Sequence, residues 1–278
     1  MVERFEPGPK KKTRLQVIID DQTVAENKER QKVRNSAYAS DYGQCMRKTW
    51  FQFFPQEYPQ PDFEPRILRV FANGNDVHER LGSYLKRQAE IDFRDELDVP
   101  RDELDVHGRC DGICTIDGQA VVVEFKSINK EFVDEAKDEH VGQLTWYLSM
   151  FKKLRQQLKE DFGYKEFDSI SEEDLVGVTS LSGRTLESIS HMEKWLLLTQ
   201  GEIRGEIIYE SKVTNELYHF PLDYDEDRAQ KVRLWFQQLN WYVKDKTMPQ
   251  VFYEPNRFPC SWQGKSAGRC PFYKECWE

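Results

Sequence analysis

The stretch His107-Gly-Arg-Cys-Asp-Gly-Ile-Cys-Thr-Ile-Asp-Gly-Gln-Ala-Val-Val-Val-Glu-Phe-Lys126 reads as a β-hairpin. Two runs of strand-forming residues flank Asp117-Gly118, and Asp-Gly between such runs is what a two-residue hairpin turn selects. With that turn Ile116 pairs with Gln119 and each paired couple sums to 235, which sets Asp111 opposite Glu124 and Arg109 opposite Lys126. Directly opposed residues share a face, their Cβ atoms roughly 5 Å apart. Two carboxylates held there repel one another unless a cation lies between them. With Lys126 on the same face, the pattern suits a hard metal ion and a lysine beside it. Parity sends Cys110, Cys114 and Ile116 to the other face with Val121, Val123 and Phe125, an expected apolar core. The two cysteines, four residues apart on one strand, have Cβ atoms about 13 Å apart at roughly 3.3 Å per residue. They cannot bind one ion and are read as core.

Working outward on the N-terminal side, residues 91–106 alternate weakly and suggest a strand that leads into the hairpin. Residues 67–71 and 77–85 have helical periodicity, interrupted at Gly74-Asn75. His78 falls at the edge of the second apolar stripe, where a lone histidine is ordinarily a half-buried one. Residues 55–65 are proline-rich and read as a loop. Before them, Trp50, Phe51, Phe53 and Phe54 form an aromatic block to bury, with Cys45, Arg47 and Lys48 in a basic turn beside it. Residues 1–34 are polar, include Lys10-Lys11-Lys12, and are expected to be a flexible arm.

On the C-terminal side, residues 131–159 read as one long helix on which Gln143 and Tyr147, four apart, share a stripe. Residues 160–202 have no chemical pattern and are expected to be an insertion with a short strand at 175–179. Two further strands, at 202–210 and 216–222, precede an aromatic-rich helix at 223–244. Glu210-Ser-Lys212 repeats the Glu-x-Lys spacing, but no aspartate faces it from a paired strand, so it is read as a decoy.

The chain has 278 residues, a net charge of −9 and 32% charged residues, and is expected to form a single domain over residues 35–278. No apolar run approaches the roughly 20 residues of a membrane span, and a cytoplasmic protein is expected, in a prokaryotic cell or a phage-infected host. The negative balance argues against passive coating of nucleic acid, although a cleft's field is set by its own residues. Cys260, Cys270 and Cys276 lie within 17 residues of a tail (about 255–278) with few aliphatic side chains. Such a segment needs a cross-link, and metal–thiolate bonds supply one in a reducing compartment. Cys45 is the one remaining cysteine outside the hairpin.

Taken together, Gly108-x-x-Asp111-Gly, Glu124-x-Lys126, Gln143-x-x-x-Tyr147 and His78 in Gly-x-x-x-His-Glu resemble the PD-(D/E)XK nuclease superfamily, RecB-like branch. Lone Cys45, in Cys-x-Arg-Lys and far upstream of three C-terminal cysteines, resembles that branch's iron–sulfur exonucleases. These include CRISPR-associated RecB-like exonucleases, AddB-type nuclease domains and phage relatives. The interval between Cys260 and Cys270 is longer than theirs.

The resemblance implies an α/β restriction-endonuclease-like core, a mixed β-sheet flanked by helices, with an iron–sulfur region joining the two ends of the chain. It implies Mg²⁺ or Mn²⁺ held by His78, Asp111, Glu124 and the Phe125 carbonyl. Asp111, Glu124, Lys126, Gln143 and Tyr147 would be catalytic. A 4Fe-4S cluster would be held by Cys45, Cys260, Cys270 and Cys276, a thiolate set that also accepts Zn²⁺. Arg47 and Lys48 are expected to touch DNA. The activity implied is that of a metal-dependent DNA exonuclease on single-stranded ends. With no Gly-x-x-x-x-Gly-Lys-Ser/Thr motif, unwinding would need a helicase or recombination partner protein. The alternative is a non-catalytic DNA-end-binding subunit of a recombination or spacer-acquisition complex.

Overall fold

A computed structural model of the chain describes residues 13–30, 34–60, 62–165, 169–255, 257–262 and 268–277; the Lys10-Lys11-Lys12 triplet lies outside them. Helices α1 (Arg14–Arg30), α2 (Met46–Phe51) and α3 (Pro65–Lys86) precede strand β1 (Arg94–Asp98) and the hairpin β2 (Arg109–Ile116) and β3 (Gln119–Ile128). Helices α4 (Asp138–Asp161), α5 (Glu172–Leu175) and α6 (His191–Leu198) then lead to β4 (Gln200–Ser211) and β5 (Leu217–Leu222). Helix α7 (Glu226–Lys244), a small ribbon of β6 (Ser261–Trp262) and β7 (Gly268–Arg269), and α8 (Tyr273–Trp277) complete the described chain.

Strands β1 to β5 form one sheet in sequence order. All neighbouring pairs are antiparallel except β3 and β4, which are parallel. A parallel neighbour requires a crossover, and the segment containing α4 supplies it. Helix α3 packs on β2 and β3, and α4 packs on β3 and β4. On the α3 side, Val77, Leu81 and Phe93 bury Cys114, Val121, Val123 and Phe125. The larger core, on the α4 side, holds Cys110, Ile113, Ala120, Val122, Leu144 and Ile207. Apolar cover on both faces explains the unbroken Val121-Val122-Val123 run. It also corrects the expectation of a single apolar hairpin face: the two thiols are buried in different cores.

Asp117 and Gly118 have φ of 52° and 78°, as a tight hairpin turn with two left-handed residues requires. The ladder follows the expected register from Ile116↔Gln119 to Gly112↔Val123. It does not continue to Asp111 and Glu124. Asp111 Oδ2 accepts the Phe125 N–H at 2.7 Å in place of a backbone carbonyl. Alternation breaks at the same point. A Cβ on Gly108 would lie 2.6 Å from the Tyr147 ring on α4, whereas one on Gly112 would lie 2.2 Å from the Phe93 ring in the other core. Between them Cys110 keeps to the α4 side, so Asp111 and Gly112 together change the strand's parity, as a bulge does. Glu96, which lies across from Asp111 in β1, has φ 53°, an uncommon value outside glycine. Arg109 therefore does not oppose Lys126; its guanidinium pairs with Glu96 at 2.8 Å.

Several elements depart from the sequence reading. Residues 14–30, expected within a flexible arm, form α1, held to α3 by an ion pair from Asp20 to Arg69 at 2.5 Å. The stretch lacks an apolar stripe, the usual helix signal, yet it is built largely of good helix formers. Helix α3 runs through Gly74-Asn75 unbroken because Leu68, Val77 and Leu81 are buried on either side. That burial outweighs the roughly 1 kcal/mol a mid-helix glycine costs. Helix α4 starts at Asp138, seven residues after the expected 131, and residues 175–179 hold the end of α5 and an isolated bridge from Thr179 to Thr185, not a strand. Residues 162–199 nevertheless bury Leu175, Leu186, Trp195 and Leu196 in the larger core. No helix among the described residues is long and apolar enough to cross a membrane.

Candidate active site

At the broken end of the hairpin ladder, six side chains from four elements meet. His78, on α3, places Nδ1 2.9 Å from Asp111 Oδ1. Glu124, 2% exposed, accepts from Lys126 Nζ at 2.5 Å and from Gln143 Nε2 at 2.8 Å, both at Oε1. Gln143 Nε2 also donates to Tyr147 Oη at 2.8 Å, and Tyr147 donates to the Arg109 carbonyl at 3.1 Å. The sequence expected Asp111, Glu124 and Lys126 to gather by cross-strand opposition. They gather instead through the side-chain insertion at Asp111 and through α4.

The Glu124 carboxyl is driven above the ordinary carboxylate range, first by burial and then by the Asp111 charge, against the pull of Lys126. Burial opposes the charge on Lys126, but Glu124 overcomes it and holds the ammonium above its usual range. Burial and the nearby Glu124 charge keep Tyr147 a neutral phenol. Glu124 Oε2 is fully buried and has no hydrogen-bond partner among the described residues. An unsatisfied buried carboxylate oxygen is expensive, so the site has acceptor capacity that the protein's own donors leave unused.

A model of the PD-(D/E)XK nuclease superfamily matches residues 19–276. The chain belongs to the PD-(D/E)XK nuclease superfamily. Solved structures similar to it include the following two. One, titled "Crystal structure of SSO0001", has TM-score 0.48 and 16% identity over 86% of this chain and 90% of that one. The other, an alkaline exonuclease from Laribacter hongkongensis, has TM-score 0.43 and 7% identity over 81% of this chain and 93% of that one. No curated protein matches the chain.

In this PD-(D/E)XK chain, the carboxylates and imidazole are neighbours without forming a closed ligand set. Among the described residues no three His, Cys, Asp or Glu side chains are arranged to hold an ion. His78 Nδ1 is engaged with Asp111, and the Lys126 ammonium with Glu124 Oε1. The donor set still fits a hard divalent cation: two adjacent carboxylates, one with an orphaned buried oxygen, and an imidazole.

The four remaining cysteines lie where the start of α2 approaches the segment 260–276. Cys45 is the residue before α2, and Phe272 stacks on Phe51 with ring centroids 4.8 Å apart. The Cys270 N–H donates to the Cys260 carbonyl at 2.8 Å, and a cavity of about 220 Å³ is lined by Cys45, Cys260 and Cys276. Burial pushes the Cys276 thiol up to about 11, and Cys45 and Cys270 add to this against Arg47. Cys270 is raised likewise, by burial and by Cys45 and Cys260. The thiols are thus electrostatic neighbours, though not a closed metal group. Arg47 and Lys48 part company: Arg47 donates to the Pro249 carbonyl at 2.8 Å, while Lys48 lines an open cavity with Lys126 and Gln143.

Two features escaped the sequence reading. His140 Nδ1 lies 2.7 Å from Tyr209 Oη beside the Lys126 cavity; its place three residues before Gln143 on α4 was the available signal. Arg80 on α3 reaches both oxygens of Glu210 at 2.7 Å. Nothing local announced that pair, since 130 residues separate its members.

Proposed function

We propose that this protein is a Mg²⁺- or Mn²⁺-dependent deoxyribonuclease that shortens single-stranded DNA from its ends. The observation that carries the reading is the buried, unpartnered Oε2 of Glu124 beside Asp111 and Lys126. Asp111, Glu124, the Phe125 carbonyl and His78 would hold the ion, which supplies positive charge for the scissile phosphate and acidifies water at the site. Gln143, bonded to both Glu124 and Tyr147, fixes the carboxylate's orientation. The Phe125 N–H does the same for Asp111. Lys126, kept protonated by Glu124, offers its charge to the phosphate as negative charge develops there.

The four-cysteine region would hold a structural 4Fe-4S cluster that ties α2 to the C-terminal segment. Cys45, Cys260 and Cys276 around one cavity, with the Cys276 thiol raised by burial, support a bound soft cation there. Zn²⁺ is the competing occupant of the same thiolates.

Linear single-stranded DNA with Mg²⁺ or Mn²⁺ is the test. The parent should shorten it, spare circular single strands, and stop on chelation; Glu124→Ala should be inactive. Cleavage by Glu124→Ala at the parent rate would place the site elsewhere, and an inert parent that still binds ends would favour the non-catalytic subunit. Protein purified without oxygen should be brown and contain about four iron atoms per chain. Colourless protein with stoichiometric zinc would remove the cluster from the reading.

A further inference from the structure

His140, partly exposed, and Tyr209, buried, form a polar pair that the metal and carboxylate chemistry does not use. Tyr209 is fully buried, and its oxygen accepts the Lys137 N–H at 3.1 Å. The only other partner of that oxygen among the described residues is His140 Nδ1, at 2.7 Å. A phenol has one proton to donate. If Nδ1 also carried a proton, the phenol proton would have no acceptor in a dry interior, a loss of about 1–3 kcal/mol. The tyrosine therefore donates to Nδ1, and the imidazole's own proton is on Nε2. An imidazolium is excluded on the same ground, and burial together with Lys126 and Lys137 lowers the His140 pKa to about 3.

Nε2 has no protein partner among the described residues, and His140 lines a cavity of about 400 Å³ with Lys48, Lys126, Gln143, Tyr253 and Phe258. That volume lies within the range of small-ligand pockets. Lys48 and Lys126, against the one lining carboxylate of Glu139, give it a net positive charge. Phe258, 78% exposed, and Tyr253, 39% exposed, give it aromatic surface of the kind on which unpaired bases stack. A phosphodiester offers acceptor oxygens only, so the tautomer set by Tyr209 is the one that can bind it.

We infer that this cavity is a nucleotide subsite in which His140 donates its Nε2–H to a backbone phosphate of the DNA strand, with Tyr209 as the positioning residue that holds the donor tautomer. The inference rests on the nuclease reading and names how that site grips its substrate. His140 transfers no proton: it remains neutral and donates before, during and after cleavage.

Two measurements test it. In ¹⁵N-histidine-labelled protein, long-range proton–nitrogen spectra report the tautomer of each histidine, and His140→Gln identifies the His140 signals. The expected signals are those of the Nε2–H tautomer, moving when a 5′-phosphorylated dinucleotide is added with Ca²⁺. In cleavage assays, His140→Ala and Tyr209→Phe should each lose about ten- to a hundred-fold in kcat/KM, the worth of a hydrogen bond to a charged group. His140→Gln, whose amide can donate from near the Nε2 position, should recover activity to within about three-fold of the parent.

An Nδ1–H signal in the parent, or no shift with the dinucleotide, overturns the proposal. So does undiminished cleavage by both His140→Ala and Tyr209→Phe. If the parent cuts no DNA yet the tautomer and dinucleotide shift appear, the nuclease reading fails and the phosphate contact stands.

Discussion

Glu124-x-Lys126 and Glu210-x-Lys212 end neighbouring parallel strands and are nearly indistinguishable on paper. Both glutamates are buried, at 2% and 5% exposure. In β3 and β4 they differ by register: Glu124 lies beside Ile207, and Glu210 beside Ser127. That offset puts them on opposite faces. Glu210 follows Ile208 toward α3, where Arg80 satisfies both its oxygens. Glu124 points toward α4, where Gln143 and Lys126 share one oxygen and leave the other unpartnered. One carboxylate is neutralised by the fold; the other is left with capacity for something not supplied by the chain. Equal motifs thus become a structural ion pair and a candidate catalytic group through their neighbours alone.

The largest expected effect lies in exchanging the charges. Glu124→Gln should reduce cleavage by at least about 10³-fold, while Glu210→Gln stays within about three-fold of the parent, measured as kcat/KM on linear DNA. Similar losses for both would erase the distinction. Next come the lysines: Lys126→Met should cost about 10²-fold in kcat, and Lys212→Met, at an exposed turn after β4, nothing measurable.

Stability should sort the pair the other way. Glu210→Ala strands Arg80 and removes a buried acceptor, and should lower the unfolding free energy by about 1–3 kcal/mol in urea. Arg80 is nearly half exposed, so the lower end applies. A loss no larger than that of a surface substitution would show the Arg80 pair to be decorative.

Gly112→Ala probes the strand that turns Asp111 toward the site. Its new methyl would meet Phe93 at 2.2 Å, and overpacking of this kind destabilises by about 1–3 kcal/mol. Phe93→Leu should recover part of that loss in the double variant.

The most gradual effect, spread over several pH units, is a pH signature on the Glu124 side. The His140 pKa is lowered to about 3, by burial first and then by Lys126 and Lys137. Its unfolded value is about 6.5. The unfolded chain therefore takes up a proton that the folded chain refuses. The associated stability is complete above about pH 6.5 and is lost as pH falls toward 3, by at most about 1.4 kcal/mol per unit. His140→Gln should flatten that part of the stability–pH curve; an unchanged slope would assign it to other groups.

Much of the core fold was legible because its signals are local. Asp117-Gly118 specified a turn, the turn specified a register as far as Gly112↔Val123, and the apolar spacing of 131–159 foretold most of α4. The site was legible as a set of residues and less so as a geometry. Opposition of Asp111 and Glu124 follows from an ideal ladder, and the actual ladder stops one pair short, where the Asp111 side chain replaces a backbone acceptor. A break of that kind depends on Phe93 lying against Gly112 and Tyr147 against Gly108, contacts from other elements that no hairpin pattern contains.

By itself the sequence determined the hairpin turn, the Glu-x-Lys spacing and the Gln143–Tyr147 stripe, all consequences of backbone sterics and period within a few residues. Only the tertiary structure decided which glutamate keeps an empty oxygen, which lysine faces a cavity and which nitrogen of His140 bears its proton. Those outcomes depend on how many donors and acceptors the packing brings to each buried atom, and α3, α4 and β4 deliver them from distant parts of the chain.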